Sequence, residues 1–228
     1  MHPAVEQENE LPFISIIVPT LNRKKLLENC LNSLFKMDYP SPSFEIIVVD
    51  NGSADGTREM VHRNFPKVEY ILEKRKGVVY ARNTGWKHAK GTIVAYTDDD
   101  CIVERSWLMG LANGFTSTEI GGVGGPVLLL HPEMIPQKFW KTPIGPLYLG
   151  DRKRLVEALI TANLAIRREV FEKVKFDASL LAYHLPDYED IELCKSLAEV
   201  GYKILYTPYA KVYHDIDPKR ANIRYLLR

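Results

Sequence analysis

An excess of either charge is missing from this chain. Across 228 residues, 30 Lys and Arg face 29 Asp and Glu, leaving a formal net charge of +1. A basic stripe broad enough for nucleic acid is not expected on that balance. Cysteine is scarce too. Cys30, Cys101 and Cys194 are odd in number, far apart and never at metal spacing, as expected of reduced thiols in a cytoplasmic setting. No apolar run approaches the ~20 residues of a membrane-spanning helix, and the start, MHPAVEQENELP, is too polar and acidic for a signal peptide. A G-x-x-x-x-G-K-[ST] segment is absent, which speaks against an ATPase-type phosphate loop. GGVGGP neither fits G-x-G-x-x-G nor precedes a helix, which weakens dinucleotide binding. There is no internal repeat and no low-complexity tract.

What remains is an ordinary globular composition, 46% hydrophobic and 26% charged, with length for one continuous core and a smaller lobe. FISIIV (13–18) reads as a strand stopped by Pro19, and RKKLLENCLNSLFK as a helix with Asn22 placed to cap it. FEIIVV (44–49) shows almost no alternation, as expected of a strand covered on both faces. NGSADGT then turns into a helix ending near Phe65, VEYIL (68–72) is a strand, VVYARNTGWKHAKG a helix closed by Gly91, and TIVAYT (92–97) a strand. Beyond these, ERSWLMGLANGF and REVFEKV read as helices and GGVGGPVLLL as one glycine-led strand. Residues 131–150, with four prolines and Trp140, read as a long loop or lid. This alternation predicts an α/β fold with a mostly parallel central sheet flanked by helices on both faces. Ligands of such sheets bind beyond the carboxyl ends of the strands. Asp50 and Asp98–Asp100 fall at two such ends, and Arg75, Lys76 and Arg82 lie near the same edge.

Three consecutive carboxylates at the mouth of a core need a reason. Two ionised carboxylates ~5 Å apart repel by roughly 3 kcal/mol at an effective dielectric of 20. A turn or a helix cap uses one Asp and leaves the others to repel. A divalent cation resolves the conflict, because Mg2+ or Mn2+ takes few protein carboxylates and completes its shell with water and substrate phosphates. Further on, Asp187 after Pro186 reads as an N-cap, putting Glu189 and Asp190 in a first helical turn, where acidic residues favour the helix dipole.

Six segments in order, VPTLNR (18–23), VVDNGSADGT (48–57), ARNTGWKHAKG (81–91), DDD (98–100), NLAIRREVFEKV (163–174) and YEDIELC (188–194), together resemble the family 2 glycosyltransferases of the GT-A fold. The resemblance covers roughly residues 13–215. It implies transfer of a sugar from a nucleoside-diphosphate donor, with uridine the favoured base, to an acceptor hydroxyl with inversion. It puts Pro19, Thr20, Asn22 and Asp50 at the base, Arg82 on the nucleotide side and Asp99 at the ribose. Asp98 and Asp100 match the outer carboxylates of a D-x-D pattern, with Asp100 the direct ligand of Mn2+ or Mg2+ and His214 a further one. Asp190 matches the catalytic base, and a helix N-terminus there is expected to lower its pKa and keep it ionised. Glu189, Asn163 and Trp140 fall on the acceptor side.

On this reading the chain is one catalytic domain with a nucleotide-sugar half (13–100), an acceptor half (101–215) and a basic tail (216–228). The acceptor is a carbohydrate, a lipid-linked or another hydroxyl compound. A cytoplasmic location is expected, with the tail either touching an anionic membrane face or forming a surface helix. No Q-x-x-R-W segment of the processive synthases is present, so transfer of a single sugar is expected. Two rivals stand beside it. A sugar nucleotidyltransferase would carry a glycine-rich basic loop after the first strand, and PTLNRKK has no glycine. A non-catalytic nucleotide-binding module would not need the intact aspartates.

Overall fold

The computed structural model of the chain describes residues 11–140, 146–183 and 188–220. Asp187, the polar start, the middle of the 131–150 loop and residues 221–228 of the basic tail lie outside the described residues. The first half runs β1 (Ile14–Thr20), α1 (Lys24–Leu34), β2 (Phe44–Asp50), α2 (Thr57–Asn64), β3 (Glu69–Leu72), α3 (Val78–His88) and β4 (Ile93–Tyr96). There follow β5 (Cys101–Val103), α4 (Trp107–Ala112), β6 (Ile120–Gly124), β7 (Val127–Leu129), β8 (Arg154–Val156), β9 (Leu164–Arg167), α5 (Tyr188–Glu199), β10 (Lys203–Tyr206) and β11 (Val212–His214).

Eight strands form the central sheet in the order β3-β2-β1-β4-β9-β6-β10-β8. The first four are mutually parallel, β9 runs antiparallel between β4 and β6, and β10 is parallel to β6 and antiparallel to β8. Both faces are covered, which explains the unbroken apolar runs. Ile14, Ile16 and Val18 of β1 pack with Leu27, Leu31 and Trp107 on one face. Ile17 turns to the other, with Val79 of α3 and Leu193 of α5. Among the described residues, no helix is long and apolar enough to cross a membrane.

Several boundaries differ from the sequence expectation, each for a visible reason. Strand β1 continues through Pro19. The Ile17 carbonyl accepts from Thr97 on the β4 side and the Thr20 carbonyl from Asn51 on the β2 side. Alternation therefore turns the donorless nitrogen of Pro19 toward β4, beyond the last pair there, Ile17 opposite Tyr96. Asn22 does not cap α1. It sits in the left-handed region at φ 53° and accepts the Ala54 N–H at 2.7 Å, while Asp55 accepts the N–H of Lys24 at 2.9 Å. GGVGGPVLLL is two strands, because Gly125 packs directly against the Ala210 carbonyl and Pro126 follows. REVFEKV forms a short 3-10 segment, Arg168–Glu172, rather than an α-helix. CIV after the aspartates is a strand the sequence did not announce, and it pairs with β11 in a second sheet, β5-β11-β7.

Gly91 is not a left-handed helix cap either. A Cβ there would lie 2.6 Å from both the Phe13 carbonyl and the Ser15 nitrogen, and 2.8 Å from the Ile93 carbonyl, so the residue is small because backbones cross. We expect Gly91→Ala to destabilise the protein by about 1–3 kcal/mol, the usual cost of forced overpacking. Urea denaturation measures it; a midpoint equal to that of the parent would refute the crossing as the reason for glycine.

Candidate active site

Three strand ends and the start of α5 meet around a cleft of about 880 Å3. Its floor is the turn after β4, where Asp98, Asp99 and Asp100 lead into β5. The turn is closed by the Cys101 N–H donating to the Asp98 carbonyl at 3.1 Å. Each carboxylate of the triplet has its own partner. Asp99 accepts from the Thr20 hydroxyl at 2.7 Å and from Arg23 at 3.0 Å. Asp100 accepts from the same Arg23 nitrogen at 2.8 Å and lies 2.9 Å from His214 Nε2. Asp98, the most exposed of the three, pairs with Arg82 at 3.4 Å. The expected repulsion is thus met partly by protein cations, and Arg23, which bonds two of the three carboxylates, is the main one.

The small sheet explains His214. In its antiparallel register His214 stands opposite Cys101, and the Asp215 N–H donates to the Asp100 carbonyl at 2.8 Å. Among the described residues one group could hold a metal: the ligating atoms of Asp100, Cys101 and His214 lie within 4.8 Å of one another. The charge balance agrees. With every carboxylate ionised, five acidic side chains line the cleft (Asp98, Asp99, Asp100, Glu189, Asp190) against Arg23, Lys76 and Arg82, two short of neutrality. Asp100 and His214, with the carboxylate of Asp98 in the same turn, suit a divalent cation.

Arg82 crosses the cleft. Buried in α3, it pairs with Glu189 at 2.8 Å and Asp190 at 3.5 Å in the first turn of α5, besides Asp98. It is therefore not a purely nucleotide-side residue. Asp190 is 4% exposed and accepts from the Thr161 hydroxyl at 2.7 Å and the Thr161 N–H at 3.1 Å. Burial pushes its pKa up to about 7, against the pull of Arg82 and with a push from Glu189. The expectation of a lowered pKa is thereby corrected: desolvation outweighs the charge of Arg82 and the hydrogen bonds from Thr161. Asp99 is likewise pushed up to about 6, chiefly by burial.

Other expected site residues sit elsewhere. Pro19, Thr20 and Asn22 line the cleft, but Asp50 does not. Its carboxylate accepts the N–H groups of Gly52 and Ser53 at 3.0 and 2.8 Å and the Tyr70 hydroxyl at 2.6 Å, bracing the loop that carries Asn51 and Gly52 into the cleft. Asn163 is buried and does not line the cleft. Its amide donates to the carbonyls of Pro126 and Ala210 at 2.9 and 2.7 Å, and Trp107 donates to its oxygen at 2.8 Å. Trp140 donates to the Ile135 carbonyl at 3.0 Å and is not among the lining residues. Arg75 pairs with Glu73 instead of the cleft, whereas Lys76 does line it. Sequence reasoning missed Thr161, Tyr188 and Ile191. No local signal marks Thr161, whose partner is 29 residues away.

A mostly parallel sheet, six of its eight strands running one way, with an acidic turn at its mouth and a carboxylate pair facing it defines a glycosyltransferase domain of the GT-A type. Solved structures agree. The mannosyltransferase PcManGT of Pyrobaculum calidifontis, in complex with GDP-Man and Mn2+, matches with a TM-score of 0.68 at 25% identity, covering 92% of this chain and 58% of that one. S. aureus TarS 1–349 in complex with UDP has the same fold, with a TM-score of 0.68 at 22% identity over 90% of this chain and 61% of that one. The chain belongs to glycosyl transferase family 2, whose family model matches residues 15–175. Glycosyltransferase AglE of Haloferax volcanii is 30% identical over 202 residues, 86% of this chain. A dolichyl N-acetyl-α-D-glucosaminyl phosphate 3-β-D-2,3-diacetamido-2,3-dideoxy-β-D-glucuronosyltransferase of Methanococcus voltae is 28% identical over 212 residues, again 86% of this chain. This chain spans 64% of the length of each of these two relatives.

The pKa of Asp190 has a thermodynamic consequence. The folded protein keeps that proton up to about pH 7, while an unfolded Asp releases it near 3.8. The folded state therefore binds more protons across this window, and stability is lost as pH rises through it. Asp99 acts in the same sense up to about pH 6. Carboxylates held low, such as Glu73 at about 2, have contributed fully above their unfolded pKa of 4.5 and add no slope. Without divalent ions, stability should be higher at pH 5 than at pH 8, and Asp190→Asn should flatten the profile. Denaturant titrations at both pH values test this, and an equal slope in parent and variant would contradict it.

Proposed function

We propose that this chain transfers a single sugar from a nucleoside-diphosphate sugar to an acceptor hydroxyl with inversion. The observation that carries this reading is the meeting, in one cleft, of the Asp98–Asp100 turn with Asp190 from α5. The diphosphate lies on the turn side, and Lys76 and Arg23 contribute positive charge there. Asp100 and His214 are the residues to hold Mn2+ or Mg2+, with Asp98 nearby. A divalent cation bound there supplies Lewis-acid stabilisation of the negative charge that grows on the departing diphosphate.

Asp190 takes the proton of the acceptor hydroxyl as its oxygen attacks the anomeric carbon and the bond to the diphosphate breaks from the opposite face. A carboxylate offers about four acceptor positions. Thr161 and Arg82 occupy Oδ1 and the Thr161 N–H one position on Oδ2, which leaves the second Oδ2 position for a substrate proton. A base with a pKa near 7 is matched to work near neutrality. Glu189 keeps Arg82 in place beside it. For the donor base, the mannosyltransferase complex favours testing guanosine beside the uridine of the sequence expectation. For the acceptor, the Methanococcus voltae relative favours a lipid-linked sugar phosphate.

A thermal-shift panel of UDP, GDP and dTDP, each with Mn2+, Mg2+ or chelator, tests the donor side, because a ligand that binds only the folded state raises its apparent stability. We expect one diphosphate to stabilise the protein only with a divalent ion, and Asp100→Ala to abolish that shift. Stabilisation equal in chelator would remove the metal from the reading. With the donor so selected, Asp190→Asn should lower kcat by 10²-fold or more, the range for a lost general base, with diphosphate binding within twofold. Transfer at the parent rate would remove Asp190 as base, and release of pyrophosphate from a nucleoside triphosphate and a sugar phosphate would favour a nucleotidyltransferase.

A further inference from the structure

Asp190 is reached by a residue that no part of the reaction above requires. Thr161 opens the short 3-10 turn Thr161–Asn163 that leads into β9, and it is fully buried. Its hydroxyl donates to Oδ1 at 2.7 Å and its backbone N–H to Oδ2 at 3.1 Å. Two donors from one residue, one to each oxygen, fix both the plane of the carboxylate and the lone pairs it shows to the cleft. The turn itself cannot drift. Two residues on, Asn163 is tied to Trp107 of α4, to Pro126 between β6 and β7 and to Ala210 before β11. A general base works only when held near productive geometry by a rigid neighbour.

We propose that Thr161 is the positioning residue of Asp190, aiming its carboxylate into the cleft and favouring its ionised form, with Asn163 as the anchor of the turn. This rests on the reading of Asp190 as general base. Hydrogen bonds donated to a carboxylate stabilise its charged state. The other groups facing Asp190 are Arg82 from α3, with Asp98 beyond it, and Glu189 and Cys194 from its own helix. Of these Arg82 alone shares the direction of the Thr161 effect.

Thr161→Val and Thr161→Ala delete the hydroxyl and keep the backbone donor; Thr161→Ser keeps both. The first readout is the carboxyl 13C titration of Asp190 in the full chain, which needs no substrate. We expect the midpoint to rise by about one pH unit in the Val and Ala variants, as for the loss of one charge-assisted hydrogen bond, and to return in the Ser variant. The second is the pH profile of kcat/KM for hydrolysis of GDP-mannose or a UDP-sugar, whichever the nucleotide panel selects, with water as acceptor. Its acid limb should move by the same amount, with KM for the donor within twofold. A midpoint that stays in place in the variant that folds overturns the proposal. A midpoint that moves while the acid limb stays put leaves Thr161 holding Asp190 but overturns Asp190 as the base.

Discussion

The site depends on one buried guanidinium. Arg82 is 5% exposed and meets carboxylates at positions 98, 189 and 190, which lie 16, 107 and 108 residues away in the chain. Removing a charge of this kind from water is expensive, and it is tolerated only where partners and geometry compensate. A guanidinium suits the place because its planar fork can address several carboxylates at once, which an ammonium cannot do from one position. The helix that carries it is seated by packing. Gly85, one turn on, lets α3 approach Ile17 of β1, and the Tyr96 hydroxyl meets the Arg82 carbonyl at 3.4 Å. The position of α3 against the sheet therefore decides where donor-side and base-side carboxylates are joined.

Much of the first half was legible because its signals are local. Apolar runs without alternation, helical spacing and turn residues lie within a few residues of what they specify. The triplet at the end of β4 could be placed at the sheet mouth from topology alone. What was illegible is what depends on distant neighbours. Pro19 stays in a strand only because β4 has already diverged. Gly91 is small because β1 crosses it, which no cap rule anticipates. Asn163 and Asp50 carry the residue types of a binding site yet spend their polar atoms on bracing loops. The sign of the Asp190 shift was missed for the same reason. A helix start is visible in sequence, but the depth at which its carboxylate is buried is not.

The triplet shows how a local charge argument is completed by the fold. The sequence poses three carboxylates with a divalent cation as their natural partner. The structure adds Arg23, a half-exposed arginine that bonds Asp99 and Asp100 from a single nitrogen. Acidic side chains still outnumber the cations of the cleft five to three, so Arg23 moderates the acidic field without cancelling it. The shortage keeps the site attractive to a divalent cation.

That same negative field works against the base. Burial raises the pKa of Asp190 most, and the neighbouring Glu189 carboxylate raises it further. A cleft acidic enough for a metal–diphosphate complex and a buried base that must give up its proton place opposite demands on the local charge. Arg82 separates the two demands. It stands between Asp98 and the Glu189–Asp190 pair and offers positive charge to the base. Thr161 adds its donors from the other side. The pKa of about 7 is thus a balance between burial, raising it, and these two neighbours, lowering it. It keeps proton uptake available at neutral pH in a site whose other half requires an excess of negative charge.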